Sequence, residues 1–182
     1  MAKQKKRIIL TGAQGTGKTT LMNALAADGT RTISHIRKTA KELGIDISEQ
    51  TEAGQKEFFK TLKKELSSKK SYISDRGLTC VAAYTFNEAI AENISKKTAD
   101  KQYMDIVKFH KANPDILVVY VPIEFEIEDD GERSVDIIFQ KKIDFLIRNI
   151  LETTNINYIT VTGSVEERVS QIEAALNKKE EQ

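Results

Sequence analysis

Gly12-Ala13-Gln14-Gly15-Thr16-Gly17-Lys18-Thr19 is the stretch on which the fold turns. It fits the pattern G-x-x-x-x-G-K-[ST]. It follows a compact apolar run, Ile8-Ile9-Leu10, and opens a segment with Leu21, Met22, Ala24 and Leu25 at helical spacing. Glycines let the backbone curl until its N–H groups point inward at phosphate oxygens. Lys18 would set a point charge between β- and γ-phosphates. The Thr19 hydroxyl is a hard oxygen ligand suited to Mg²⁺. A helix starting at Lys18 aims its positive end at the same phosphates. A chance glycine-rich turn can match the bare pattern, but here a strand precedes it and an amphipathic helix follows. The stretch predicts binding of ATP or a close relative, with Mg²⁺.

Outward from this loop, strand and helix patterns alternate. Residues 32–34 read as a weaker second strand, and residues 36–43 as a helix stopped by Gly44. A longer helix over residues 51–66 places Phe58, Phe59, Leu62 and Leu66 on one face. Tyr72-Ile73-Ser74 reads as a third strand, followed by helices over about 78–93 and 100–111. Residues 116–121 form the most apolar stretch and predict a central buried strand. An acidic loop follows, then a helix capped by Ser134, a fifth strand over 158–161, and a last helix opened by the capping box Ser164-x-x-Glu167. Five such alternations predict an α/β fold with a parallel sheet covered on both faces. Ligands then sit at the carboxyl ends of the strands. Gly12, His35, Asp75, Pro122 and Thr162-Gly163 each follow a strand, so they should meet around one site.

Composition narrows the class. The 182 residues suit a single domain, 1–182, with 40% hydrophobic and 30% charged residues. A net charge of +1 gives no global field toward nucleic acid or an anionic membrane. Lys3, Lys5, Lys6 and Arg7 read as a solvated basic lead before the first strand. The one cysteine, Cys80, excludes an internal disulfide and reads as a small buried hydrophobe. No apolar run is long enough to span a membrane or act as a signal peptide, so the cytoplasm is the expected compartment.

Beyond the loop, Asp75 could hold Mg²⁺ through water, accept a proton from a substrate hydroxyl, or simply cap the helix at Leu78. Arg76 could fork two phosphate oxygens, or form a surface ion pair. Arg133 closes the acidic loop, where it could neutralise charge developing on the transferred group. Around it, Glu124, Glu126, Glu128, Asp129, Asp130 and Glu132 favour an open, solvated loop until nucleotide arrives. His35 could meet the acceptor or act as a base. His110 reads as a cap or surface residue. Tyr84 and Phe86 could stack on a base or belong to the core.

Taken together, these motifs resemble a family. Residues 12–19 with Thr20-Leu21, then Ser74-Asp75-Arg76-Gly77 and Ala83-Tyr84-Thr85, look like the small kinases of the ribosylnicotinamide-kinase-like group, within the AAA-type P-loop NTPases. That group includes phage-encoded nucleoside and nucleotide kinases. Asp130-Gly131-Glu132-Arg133 and Gly163-Ser164-Val165-Glu166-Glu167-Arg168 also fit, so the resemblance covers nearly the whole chain. It implies a three-layer, nucleotide-kinase-like fold with a five-stranded parallel sheet in the order 2-3-1-4-5. It further implies a lid over about 123–134 carrying Arg133, ATP as donor, Thr20 in the nucleotide site, and Gly163-Ser164 near the adenine. Members usually carry a glutamate after the second strand and an arginine three residues later, as an acceptor-binding pair. Those places hold His35 and Lys38, although Arg37 could stand in for the arginine after a one-residue shift. A neutral or cationic pair favours an acceptor that is already anionic, such as a nucleoside monophosphate.

The expectation is therefore an Mg²⁺-dependent kinase moving the γ-phosphoryl of ATP to a nucleoside, nucleotide or modified nucleotide. Lys18, Asp75, Arg76 and Arg133 would be its catalytic residues. Residues Gly12, Ala13, Gln14, Gly15, Thr16, Gly17, Lys18, Thr19, Thr20, Gly163 and Ser164 would bind ATP. The acceptor would meet His35, Lys38, Arg76 and Tyr84, and the metal Thr19 and Asp75. Two alternatives stand behind it. One is a kinase of DNA ends or modified bases, for which the lysines over 56–70 with Lys96, Lys97 and Lys101 would supply a basic stripe. The other is a non-catalytic nucleotide switch, although no Asn-Lys-x-Asp motif marks a GTPase. A homodimer is left open.

Overall fold

The computed structural model describes residues 6–34, 36–44, 50–125 and 136–180. In chain order the elements are β1 (Arg7–Thr11), α1 (Lys18–Leu25), β2 (Thr32–Ile33), α2 (Ile36–Leu43), α3 (Glu52–Leu66), β3 (Tyr72–Ser74), α4 (Leu78–Ile90), α5 (Lys96–Lys111), β4 (Leu117–Tyr120), α6 (Ile137–Thr153), β5 (Tyr158–Thr160) and α7 (Val165–Glu180). All strand pairs are parallel, in the order β2-β3-β1-β4-β5. This is the expected order, and the fold is that of the P-loop nucleotide kinases.

The period of two along each strand splits the core into two layers. Ile8 and Leu10 of β1, with Leu117 and Val119 of β4, face Leu21, Met22 and Leu25 of α1 and Ile172 and Leu176 of α7. Ile9, Val118 and Tyr120 face the other way, toward Phe58, Phe59 and Leu62 of α3, Leu78 and Val81 of α4, and Ile143 and Ile147 of α6. Because every strand runs the same way, Gly12, Ser34, Asp75 and Pro122 leave the sheet at one edge. Among the described residues no helix is long and apolar enough to cross a membrane.

Several local expectations need correction. The helix after the acidic loop starts at Ile137, and its cap is Asp136, not Ser134; the Asp136 carboxylate accepts from the N–H groups of Ile138 and Phe139. The last helix runs on to Glu180 rather than ending near Leu176. The fourth helix is shorter than expected, and the fifth starts four residues earlier than Asp100, at Lys96. Its polar first turn holds because Glu52 of α3 accepts from the Thr98 hydroxyl at 2.6 Å and from the Ser95 N–H at 3.3 Å. The Ser164–Glu167 box forms as expected: Ser164 N–H donates to Glu167 Oε2 at 2.7 Å, and Glu167 N–H to Ser164 Oγ at 3.2 Å.

Arg7 is not part of a solvated lead. It is the first residue of β1 and is 1% exposed. Its guanidinium donates to both Asp115 carboxylate oxygens at 2.7 and 2.8 Å, to Leu66 O at 3.1 Å and to Asn113 Oδ1 at 3.0 Å. It also lies 5.7 Å from the centre of the Tyr72 ring. Two connections, α3–β3 and α5–β4, are thereby tied to β1 at the sheet edge opposite the phosphate loop. Arg7→Ala removes four hydrogen bonds and the packing of a buried side chain against Tyr72, and should destabilise the fold by about 3 kcal/mol, a drop of roughly 6–12 °C in melting temperature by circular dichroism.

His110, in the last turn of α5, is half-buried with its ring edge-on to Phe109. Desolvation lowers its pKa from 6.5 to about 4. The folded state therefore resists protonation that the unfolded chain accepts. Stability linked to His110 is complete above pH 6.5 and is lost as pH falls toward 4. In pH-dependent denaturant unfolding, His110→Gln should remove at most about 2 kcal/mol of the loss seen between pH 7 and 4.5.

Candidate active site

The phosphate loop forms between β1 and α1 as its sequence requires. Gly12 has φ +152, and a Cβ there would lie 2.3 Å from the Val121 carbonyl oxygen, so the backbone just after β4 leaves room only for glycine at this point. Gly17 caps α1 in the left-handed region, with no side-chain cap and no acidic residue in the first turn. The positive end of α1 is thus left open to an anion.

Lys18 is buried and folds back over the loop. Its Nζ donates to Ala13 O and, at 3.0 Å, to Thr16 Oγ1. A lysine already curled over the cradle needs little rearrangement to reach a phosphate there. Cys80 is buried beneath, 3.2 Å from Thr11 Oγ1 and 3.7 Å from Gly12 O.

Asp75 at the end of β3 does not cap α4, whose N-cap, Gly77, has no side-chain cap bond. Instead its Oδ2 accepts from Thr19 Oγ1 and Ser34 Oγ, each at 3.1 Å. The carboxylate is 7% exposed, and its Oδ1 is buried with no hydrogen-bond partner. A buried carboxylate oxygen without a donor is costly unless a cation or water completes it. Among the described residues no three His, Cys, Asp or Glu side chains gather as a metal cluster. One hydroxyl and one carboxylate, with nucleotide oxygens and water, are the hard-oxygen donor set that Mg²⁺ takes. The residues present fit the ion.

Arg76 is half-buried beside Asp75. Desolvation works against its charge, but the neighbouring Tyr84, Cys80 and Asp75 more than offset this and hold its pKa up. Tyr84 lies against Phe139 of α6, ring centres 6.0 Å apart, and its hydroxyl donates to Gln14 Oε1 at 3.1 Å. Phe86 instead packs at the core edge, next to Tyr103.

The loop after β5 is tied to Glu124, which the sequence placed in an open, solvated acidic loop. Gly163, with φ +91, donates its N–H to both Glu124 oxygens at 3.2 and 3.1 Å, while Glu167 takes the Ser164 N–H. Arg168 of α7, 2% exposed, donates to Thr16 O at 3.0 Å and to Glu124 Oε2, and lies 5.1 Å from the Phe125 ring centre. Glu124 is therefore not a freely solvated member of the acidic loop. It ties the end of β4 to the loop after β5, and Arg168 ties both to the phosphate loop. The sequence marked Arg168 only as part of a motif, and Ser34 and Gln140 not at all. Gln140 donates to Gln14 O at 2.8 Å.

Lys18, Thr19, Asp75, Arg76 and Tyr84 thus come together at the carboxyl edge of the sheet, with Gly163 and Ser164 joined to it through Glu124 and Arg168. Thr20 is exposed in the first turn of α1. His35, Arg37 and Arg133 are residues whose side chains lie outside those described; Lys38 falls in α2, with its side chain likewise outside.

Comparison with solved structures bears on the fold. Deoxyadenosine kinase from M. mycoides, with dCMP and dCDP bound, is 14% identical with a TM-score of 0.65, over 94% of this chain and 98% of that one. Shikimate kinase from Aquifex aeolicus is 21% identical with a TM-score of 0.61, over 94% and 96%. NadR in complex with NR is 18% identical with a TM-score of 0.60, over 88% of this chain and 46% of that longer one. No curated protein matches the chain in sequence. A family model for an AAA domain matches residues 7–168, from the first strand through the arginine of the last helix. The chain belongs to the AAA-domain family.

Proposed function

We propose that this chain is an Mg²⁺-dependent kinase that moves the γ-phosphoryl group of ATP to a nucleoside, nucleotide or modified nucleotide. The observation that carries this reading is Asp75. Its carboxylate is buried, bridged to Thr19 of the phosphate loop and Ser34 after β2, with one oxygen unsatisfied. That arrangement links the donor side of the site to the side where an acceptor would enter.

In this reading residues 1–182 are one kinase domain, with a lid over about 123–134. Residues 12–20 hold the triphosphate, and the Lys18 ammonium moves from Ala13 O to the phosphates. Thr19 and Asp75 would hold Mg²⁺, which neutralises phosphate charge when bound. Arg76 and Arg133 stabilise charge on the transferred group. Asp75 or His35 accepts the proton of the attacking hydroxyl. Gly163 and Ser164 lie near the adenine, once Glu124 and Glu167 release their N–H groups. His35 and Lys38, neutral and cationic, favour an acceptor that is already anionic. Transfer of this kind needs mostly positioning and charge neutralisation, which this set supplies.

Some of the lysines that could form a stripe for DNA are paired with nearby side chains. Lys56 pairs with Glu52 at 2.7 Å, Lys63 with Asp105 at 3.1 Å, and Lys69 with Asn113 at 2.9 Å. The small-molecule acceptor is therefore preferred. A transfer screen with γ-labelled ATP and Mg²⁺ tests the proposal against nucleosides, common monophosphates, nicotinamide riboside and DNA with free or modified ends. Label on a small acceptor is the expected result. Label on DNA alone would move the reading to a nucleic-acid kinase, and nucleotide binding without any transfer to a switch.

A further inference from the structure

Arg168 of α7 is not among the residues assigned to ATP or its acceptor, yet it is 2% exposed and reaches two other parts of the chain. Its Nη1 donates to Thr16 O of the phosphate loop at 3.0 Å, and its Nη2 donates to Glu124 after β4. The same Glu124 carboxylate accepts from the Gly163 N–H, at 3.2 and 3.1 Å, in the loop after β5. The guanidinium carbon lies 5.1 Å from the centre of the Phe125 ring. Both side chains close on the turn that opens α1: a Cβ at Gly17 would lie 3.5 Å from Arg168 Nη1 and 3.9 Å from Phe125 Cε2. A buried ion pair contributes little net stability compared with a well-packed apolar replacement. What the fork of a guanidinium fixes is the distance and angle between its partners.

We propose that Arg168 is a positioning residue: with Glu124 it holds the loop after β5 at a fixed spacing from the phosphate loop, so that one ATP meets both. This rests on the kinase reading above, in which residues 12–20 hold the phosphates and Gly163 lies near the adenine. Tying two half-sites together beforehand spares the ligand the ordering they would otherwise cost on binding. Glu124 offsets the Arg168 charge, so this cation does not draw the triphosphate away from Lys18. The base end of a nucleotide is bound alike in ground and transition states. The spacing should therefore govern affinity rather than the transfer step.

Calorimetric titration with ATP and Mg²⁺ tests it, together with kcat at saturating ATP on the acceptor found by the screen and melting temperatures. Arg168→Met keeps a long buried side chain and removes the fork. Its Kd for ATP should rise about 10-fold, the effect of one hydrogen bond to a charged group, while kcat stays within about twofold. Glu124→Gln, at a side chain 27% exposed, cuts the same tie from the solvent side. The double variant should bind no more weakly than the worse single one. An unchanged Kd in Arg168→Met would overturn the proposal, as would full additivity in the double variant. A loss in kcat as large as the loss in affinity would make Arg168 a scaffold of the phosphate loop and also overturn it. Where Arg168→Met does not fold, Glu124→Gln decides alone, an unchanged Kd again overturning the proposal. ATP binding by the wild-type chain without transfer to any acceptor would sink the kinase reading and leave the Kd comparison standing; no ATP binding would sink both.

Discussion

Lys18→Ala should abolish transfer, lowering kcat/KM by about 10³-fold or more, while leaving the fold intact. Both halves follow from the geometry. The Lys18 ammonium is the cation already curled over the cradle, donating to Ala13 O and Thr16 Oγ1. Moved onto a phosphate, it would offset charge in a site shielded from water, where such a charge is worth most. Removing it leaves Ala13 O with a donor, since Thr16 Oγ1 donates to it at 3.2 Å. The stability cost should be near 1 kcal/mol, visible as a shift of a few degrees in melting temperature. Single-turnover transfer with labelled ATP measures the first effect and calorimetry the second. Normal turnover in a folded Lys18→Ala protein would remove the phosphate loop from the mechanism.

Asp75→Asn should lower kcat by about 10²- to 10³-fold, and the Mg²⁺ dependence tells which role is lost. Asparagine keeps the shape and an oxygen that can still accept from Thr19 and Ser34, so the local fold survives. What disappears is the negative charge at the unpartnered Oδ1. If Asp75 holds the metal, the Mg²⁺ concentration for half-maximal rate rises at least about 10-fold, and part of the rate returns at saturation. If Asp75 is the base, the Mg²⁺ curve stays in place and the acidic limb of the pH–rate profile is lost. A variant with unchanged kcat and an unchanged Mg²⁺ curve would make Asp75 a structural bridge between β3, α1 and Ser34 only.

Sequence by itself determined the order of elements and the nucleotide cradle. Apolar strands, amphipathic helices and the capping box at Ser164 are local patterns, set by the two periods of backbone geometry and by short-range hydrogen bonds. The cradle is legible because its glycines answer a backbone demand that recurs wherever a phosphate must be wrapped. The resemblance of the later motifs anticipated the strand order. Tertiary structure alone decided what the charged side chains do. Arg7 and Arg168 look like ordinary surface arginines in the chain, yet both are buried, because their partners lie 108 and 152 residues away in sequence. Glu124 looked like one acidic residue among six, and packing singled it out to bridge Gly163 and Arg168. Asp75 could cap, bind or act as a base until the sheet set it beside Thr19 and Ser34. A charge gains its role from what desolvates and faces it, and those neighbours come from other strands and helices, beyond the reach of any local pattern.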